Sequence, residues 1–222
     1  MRTFIRSLIY LGVAATFVSS AQAAPTLKSV IDSYQSHLDS KRTDIAEDGT
    51  YPKSFWPDVT PEGEAGELKE LQSLLADLEK VDTKDLSEDD QLNYDILKTI
   101  LEAKIARAAF DESRLPFTGD WGFHSALGFS ISRMSLKSVK DETAILEKLN
   151  AIPEYVDAHI ANMKRGLKTG FVSYRDPLDT VVEQIEELVV QKPEDSPLYA
   201  PFKTLPSHFS DNHAERSREM GK

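Results

Sequence analysis

The sequence contains no cysteine in its 222 residues. Disulfide bonds, thiolate metal sites and a cysteine nucleophile are therefore excluded, and so is the acylated cysteine of a lipoprotein. A domain without covalent cross-links has to gain its stability by burying apolar side chains. Hydrophobic residues make up 40% of the chain, which is sufficient for such a core.

Several catalytic motifs are missing as well. The chain has no glycine-rich phosphate loop, no Gly-x-Gly-x-x-Gly turn and no Gly-x-Ser-x-Gly nucleophile elbow. None of the five histidines is followed by glutamate, so the zinc-protease motif His-Glu-x-x-His is absent from the sequence. The sequence therefore assigns no catalytic residue and no metal ligand, and we expect no cofactor in this chain.

Basic residues are scarce relative to acidic ones. The chain has 26 lysines and arginines against 37 aspartates and glutamates, a formal net charge of -11. The first 23 residues hold two of the basic residues and none of the acidic ones, so the remainder carries 24 against 37, a net charge of -13. This balance argues against nucleic acid and anionic membrane surfaces as partners.

The first 23 residues have the pattern of a secretory signal peptide. Arg2 and Arg6 form a cationic start, an apolar run covers 8–18, and Ala21 and Ala23 are the small residues that signal peptidase inspects. The apolar run is shorter than the about 20 residues that span a bilayer. We expect cleavage after Ala23, no stable membrane anchor, and a mature protein of residues 24–222 that is periplasmic or secreted.

The mature sequence is typical of helices almost throughout. Ser87 and Ser138 are each followed three residues later by aspartate, which indicates a capped helix start. Asp176 before Pro177 predicts another start, with the aspartate as the cap, and Gly170 predicts a helix end. Apolar residues recur at helical spacing over 27–38, 68–78, 92–105, 139–149, 153–167 and 178–189. The predicted fold class is all-α, a multi-helix array in one domain.

The segment 115–134 interrupts this helical pattern as an irregular, glycine- and aromatic-rich connector. Its centre places a carboxylate, two aromatic rings and an imidazole close together, from Asp120, Trp121, Phe123 and His124. A carbohydrate or peptide site uses such groups, so these four are the candidate substrate contacts. The alternative is that the aromatic rings fill the gap between two groups of helices, the commoner role of such a connector.

The second half of this connector has two possible conformations. Leu127, Phe129 and Ile131 alternate with other residues, a pattern that weakly favours a strand. An irregular loop is the competing interpretation.

Two other groups of polar residues have an ordinary structural explanation. His159 lies at the edge of an apolar stripe and is expected to be a half-buried packing histidine whose hydrogen bonds are satisfied, while Lys164, Arg165 and Lys168 complement the dipole at a helix end. The tail holds four potential metal ligands, His208, Asp211, His213 and Glu215. Because such a tail lacks groups that orient the ligands, we expect a solvated helix start there.

The run 86–97 carries a resemblance to a known family. It reads Leu-Ser-Glu-Asp-Asp-Gln-Leu-Asn-Tyr-Asp-Ile-Leu. It resembles the Leu-Ser-x-x-Asp-x-Leu-(Asn/Asp)-Tyr-Asp segment of the bacterial exported family catalogued as domain of unknown function 885. The segments 57–62, 152–170 and 196–202 are similar to further parts of that family, in the same order. Together they cover nearly all of the mature chain.

The resemblance implies more than the residues alone. Members of the family are longer helical proteins that look like zinc metallopeptidases, with the metal motif in their C-terminal half. This chain is then expected to be only the N-terminal helical region, inert alone, with zinc in the full-length protein and a peptide substrate reached through the missing part. The segment 210–222 looks like a helix that should continue, which favours truncation. The alternative is a self-contained exported helical binding or interaction module.

Overall fold

The computed structural model describes residues 24–46, 49–118 and 121–221. The predicted signal peptide with its cleavage site at Ala23, and the candidate contact Asp120, lie outside these ranges. The elements are α1 (Leu27–Ser40), α2 (Pro61–Leu78), α3 (Glu88–Ala108), β1 (Phe117–Thr118), β2 (Trp121–Gly122), α4 (Phe123–Ser132), α5 (Val139–Asn150), α6 (Ile152–Thr169), α7 (Asp176–Leu188), α8 (Ala200–Lys203) and α9 (Asp211–Met220). Short 3-10 turns cover Glu112–Arg114, Pro193–Asp195 and Pro197–Tyr199. The all-α prediction is confirmed.

The first three helices pack around one apolar core. Each is started by a hydroxyl side chain: Thr26, Thr60 and Ser87 accept hydrogen bonds from backbone amides in the first turns of α1, α2 and α3. The buried residues of this core are Leu27, Val30, Leu71, Leu78, Val81, Leu97 and Leu101. Across the described ranges, no helix has the length and apolar character needed to cross a membrane.

The later helices enclose two further apolar clusters. One combines Phe55 and Trp56, from the segment before α2, with Leu127 and Ile131 of α4 and Ala144 of α5. The other is formed by Leu136, Ile145, Tyr199 and Phe202. Because Phe55 and Trp56 precede α2, the segment 49–60 links the first core to the second.

A lysine of α5 is buried against Phe55 and Trp56. The side chain of Lys148 is 0% exposed, and its Nζ lies 4.7 Å from the centre of the Trp56 ring and 3.1 Å from Asp44 Oδ1. Trp56 Nε1 donates to the carbonyl oxygen of Lys148 over 2.9 Å. Burial lowers the pKa of Lys148, and Asp44 offsets that shift in part. Trp56 and Lys148 therefore hold the segment 49–60 against α5.

The connector 115–134 contains a short hairpin followed by a helix. Phe117 pairs with Gly122 and Thr118 with Trp121 in an antiparallel register. Gly122 is needed there, since an added Cβ would lie 2.5 Å from Phe117 Cδ1. The strand interpretation of 127–131 is wrong, and so is an irregular loop there: Leu127 and Ile131 are buried one helical turn apart in α4.

The helix boundaries agree with the sequence except at α7. Ser87 and Ser138 cap α3 and α5, and Gly170 ends α6 with a positive φ of 77°. Helix α7 starts at Asp176, as expected, but Arg175 is the residue before it and no side chain caps the helix. Asp176 as the capping residue is therefore wrong.

An ion pair joins the end of α3 to α6. Asp111 has a left-handed backbone, with φ of 50°, and its carboxylate accepts hydrogen bonds from both terminal nitrogens of Arg165. The Nε of Arg114 donates to the backbone carbonyl oxygen of Asp111 and forms an ion pair with its carboxylate over 3.0 Å. Burial raises the pKa of Asp111, but the hydrogen bonds from Arg165 and Ser113 outweigh this and lower it. Arg165 is thus a partner of Asp111 rather than only a cation at a helix end, as the sequence had suggested.

We expect Asp111→Ala to lower the free energy of unfolding by about 2 kcal/mol, because the change leaves Arg165 and Arg114 without a counter-charge and places alanine in a left-handed conformation. Asp111→Asn keeps a residue that tolerates this backbone and should cost only about 1 kcal/mol. Urea unfolding followed by circular dichroism measures both. Equal losses in the two variants would show that the backbone conformation contributes nothing.

Candidate functional site

The structure divides the candidate contacts of the connector into a buried and an exposed set. Phe123 is half-buried and the His124 side chain is buried, with 3% exposed. Trp121 is 52% exposed. The sequence treated the candidate contacts as one cluster, but of the three that the structure describes only Trp121 offers a large surface to a ligand.

His124 has a structural position at the start of α4. Its Nε2 lies 2.7 Å from Gln184 Oε1 of α7 and 3.1 Å from Ser125 Oγ. The ring of Phe117 meets it edge-on, with 5.4 Å between ring centres. These contacts fasten the hairpin and α7 to α4, and they leave His124 without access to a ligand.

Phe123 belongs to a stack of aromatic rings inside the protein. It lies parallel to His159, with 4.4 Å between ring centres, and Tyr155 meets His159 edge-on at 4.6 Å. Tyr155 in turn stacks on Trp56 at 5.1 Å. The packing interpretation of the aromatic residues is therefore correct for Phe123, and the stack connects α4 and α6 to the segment before α2.

His159 is more deeply buried than its half-buried prediction. Only 7% of it is exposed, and neither ring nitrogen has a hydrogen-bond partner among the described residues. Burial lowers the pKa of His159 to about 4. The imidazole is therefore neutral at pH 7 and serves as a ring in the stack. The packing role agrees with the sequence, but the prediction of satisfied hydrogen bonds is wrong for the described part of the chain.

What we call the aromatic groove is a depression lined by Phe129, Arg133, Lys137 and Asp44, together with Trp121, which meets Phe129 but is not part of the lining. Trp121 and Phe129 meet edge-to-face with 6.1 Å between ring centres, and 53% of Phe129 is exposed. The guanidinium of Arg133 lies 4.9 Å from the centre of the Phe129 ring. The depression has a volume of about 770 Å³.

Two cations of the aromatic groove, Arg133 and Lys137, have no carboxylate partner among the residues that the structure describes. Asp44 is paired with Lys148, and Asp141 on the groove wall accepts hydrogen bonds from Tyr51 and Ser138. Within the described part of the chain, neither Arg133 nor Lys137 forms a salt bridge. The groove therefore offers two exposed rings beside two available positive charges, a combination suited to an apolar side chain next to a carboxylate.

A group with metal-ligand chemistry lies between α1 and α2. His37 Nε2 is 2.9 Å from Glu67 Oε1, and His37 Nδ1 is 2.9 Å from Glu70 Oε2. Lys41 Nζ lies 2.8 Å from Glu67 and 3.5 Å from Glu70. A single ion can bind only one nitrogen of the ring, whereas each nitrogen here faces a different carboxylate and Lys41 supplies the positive charge. One ring nitrogen and one oxygen of each glutamate lie within 4.8 Å of one another, but Lys41 is already paired with both carboxylates, and in this arrangement the residues act as ion pairs that join α1 to α2.

This ion-pair group was missed by the sequence reasoning. His37 and Glu67 are separated by 30 residues in the chain. The only sequence feature that pointed to the group was the pair of acidic residues Glu67 and Glu70, one turn apart on α2. Burial raises the pKa of Glu67, but the hydrogen bonds from Lys41 and His37 outweigh it and lower that pKa.

The tail is a helix start, as expected, but it is not wholly solvated. Ser210 caps α9 by accepting from the amide of His213. His213 Nε2 lies 3.0 Å from Glu142 Oε2, and Glu142 is 3% exposed. The prediction of a solvated tail is therefore wrong for His213, which joins α9 to α5.

Comparison with known proteins identifies one family. The family model described as "Bacterial protein of unknown function (DUF885)" matches residues 43–221. No curated protein and no solved structure matches the chain. The matched range contains the residues of the aromatic groove and of the ring stack.

We expect protonation of His159 to destabilise the fold. The pKa of His159 is about 4 in the folded chain and about 6.5 in an unfolded one. The unfolded state therefore binds the proton more tightly, so the free energy of unfolding falls as pH drops from about 6.5 towards 4. The loss from this one group between pH 7 and pH 5 should be about 2 kcal/mol.

His159→Phe is the matched variant because it keeps the ring stack and removes the titration. Urea unfolding at pH 7 and pH 5 should show a smaller pH effect in the variant than in the original chain. The same pH effect in both proteins would contradict a neutral, buried His159.

Proposed function

The chain belongs to the DUF885 family of bacterial proteins, and on that premise we propose that it is the N-terminal helical region of an exported metallopeptidase-like protein. Its role is to bind the peptide substrate along one wall of the cleft in which the catalytic part works. The lack of a His-Glu-x-x-His motif in its sequence supports the view that this region is inert alone and that zinc belongs to the full-length protein.

The observation that carries the binding role is the exposed pair Trp121 and Phe129. Each ring is more than half exposed, although covering two such rings with apolar partners would be favourable. The pair meets edge-to-face and lies beside a cation held over one ring. Rings in fixed positions lose little conformational freedom when a ligand binds, so they are efficient contacts for a peptide.

The charges of the aromatic groove restrict which peptide sequences we expect it to bind. Arg133 and Lys137 are positive and have no carboxylate partner among the described residues, while Asp44 is engaged by Lys148. A peptide with an aromatic or large aliphatic side chain followed closely by a carboxylate fits both features. The carboxylate is supplied by an acidic side chain or by the C-terminus.

We expect residues 24–222 to bind a fluorescein-labelled peptide containing Phe followed by Glu, measured by fluorescence anisotropy. Trp121→Ala and Phe129→Ala should each weaken binding about tenfold, since each removes a central aromatic contact. Phe110→Ala is the matched control, because Phe110 is 62% exposed but lies outside the aromatic groove. Equal effects at Phe110 and Trp121, or binding of oligosaccharides in place of the peptide, would overturn the proposal.

The proposal that this chain is exported and is part of a longer metallopeptidase-like protein can be tested in the bacterium that carries the gene. N-terminal sequencing of the exported product should start at Ala24. The reading frame beyond codon 222 should encode a His-Glu-x-x-His motif, and the purified chain should hold no stoichiometric zinc and hydrolyse no peptide. Tight zinc binding by residues 24–222, or non-coding sequence after codon 222, would instead support a self-contained exported module.

A further inference from the structure

A second concave surface lies between α2 and α3, and its lining shares no residue with the aromatic groove. This cleft has a volume of about 520 Å³. Its apolar part is formed by Ala65, Leu68 and Leu71 of α2 and by Ala108 of α3, and Arg165 of α6 is part of its wall. The cleft thus combines an apolar surface from two helices with charged residues around it.

Most of the charges around the cleft are already neutralised by partners in the protein. Glu67 is paired with Lys41, Arg107 with Glu112, and Asp111 with Arg165. Because each charge in these pairs is neutralised by its partner, the pairs form part of the cleft wall but attract a charged ligand only weakly.

Two opposite charges of the cleft are left without such a partner. In the ranges that the structure describes, neither Glu64 of α2 nor Lys104 of α3 lies within salt-bridge distance of an opposite charge. The nearby Ser113 hydroxyl lowers the pKa of Glu64 in part, but this hydroxyl donates its hydrogen to Asp111 over 3.0 Å. Glu64 and Lys104 therefore remain available, one on each of the two helices that form the cleft.

The surroundings of Glu64 favour a positively charged ligand group. Burial raises the pKa of Glu64, and the negative charge of Asp111 raises it further, against partial offsets from Ser113 and Arg165. Its ionised form is thus less stable in the empty cleft than in water. An ammonium placed beside it would relieve that penalty and gain a charge-assisted hydrogen bond.

Within the described ranges, Arg165 adds an unpartnered hydrogen-bond donor to the wall of the cleft, which favours a ligand that also carries an acceptor. Its two terminal nitrogens are engaged by Asp111, Ser113 and Asn162. Its Nε is buried and has no hydrogen-bond partner among the described residues. A buried donor without an acceptor is unfavourable, and this one belongs to a side chain that lines the cleft.

We propose that this cleft binds a small zwitterion with an apolar side chain, such as a free aliphatic amino acid or a dipeptide. The ligand ammonium binds Glu64 and its carboxylate binds Lys104. The apolar side chain packs on Leu68 and Leu71, one and two helical turns after Glu64 on α2. This site is separate from the aromatic groove and does not depend on the peptide-binding role proposed for that groove.

The unmodified protein tests the charge requirement by itself. Isothermal titration with L-leucine and leucyl-leucine should give a dissociation constant below about 1 mM for at least one of them. N-acetyl-leucine lacks the ammonium and leucinamide lacks the carboxylate, so each should bind about tenfold more weakly than leucine. No binding of either zwitterion, or equal binding of the blocked derivatives, overturns the proposal.

Variants then assign the two charges to residues. Glu64→Gln and Lys104→Met should each weaken binding of the better zwitterion about tenfold, and a thermal unfolding midpoint close to that of the original chain checks the fold. Glu62→Gln and Lys98→Met are matched controls on the same helices outside the cleft lining and should leave affinity unchanged. Trp121→Ala should also leave it unchanged, which separates this site from the aromatic groove. Equal losses in the controls overturn the assignment.

Discussion

The contact between Trp56 and Lys148 is the point on which the arrangement of the second half of the chain depends. The indole donates to the Lys148 carbonyl, and the Lys148 ammonium lies over the indole ring. On its other side the indole stacks on Tyr155, which leads through His159 to Phe123. One residue of the segment before α2 thereby sets the positions of α5, α6 and α4. The orientation of α4 then determines which way Phe129 faces.

A chain without cysteine has to hold this segment in place by other means. Polar side chains do so over long separations in sequence: Asn162 donates to the Val59 carbonyl across 103 residues, and Tyr51 donates to Asp141 across 90. A buried hydrogen bond adds only about 1 kcal/mol of net stability, but leaving either partner unsatisfied costs more. These bonds therefore act mainly by making alternative positions of the segment unfavourable, whereas the apolar clusters supply the stability.

The sequence predicted features that depend on residues a few positions apart, but it missed contacts between residues that are distant in the chain. Ser87 and Ser138 announce helix starts because the capped amide is three residues away. The alternation of Leu127, Phe129 and Ile131 was misleading because Leu127 and Ile131 are also one helical turn apart, so three residues do not separate a strand from a helix. The stack of Phe123 on His159 and the burial of Lys148 depend on partners from other elements. In the sequence, these two contacts were indicated only by a polar residue within an apolar pattern, His159 in one case and Lys148 in the other.

The two proposed sites follow from the same electrostatic constraint. In a chain with a net charge of -11, a cation that is to attract a carboxylate ligand must not already be paired with one of the protein's own carboxylates. Lys104 beside Leu68, and Arg133 and Lys137 beside Phe129, meet this condition within the described residues, and each adjoins an apolar surface in a concave region. Such a surface displaces water and so strengthens the attraction of an anion relative to a lysine in open solvent. The excess of acidic residues over the whole chain disfavours anions at its surface, so a carboxylate ligand needs unpaired cations such as these beside an apolar surface in order to bind.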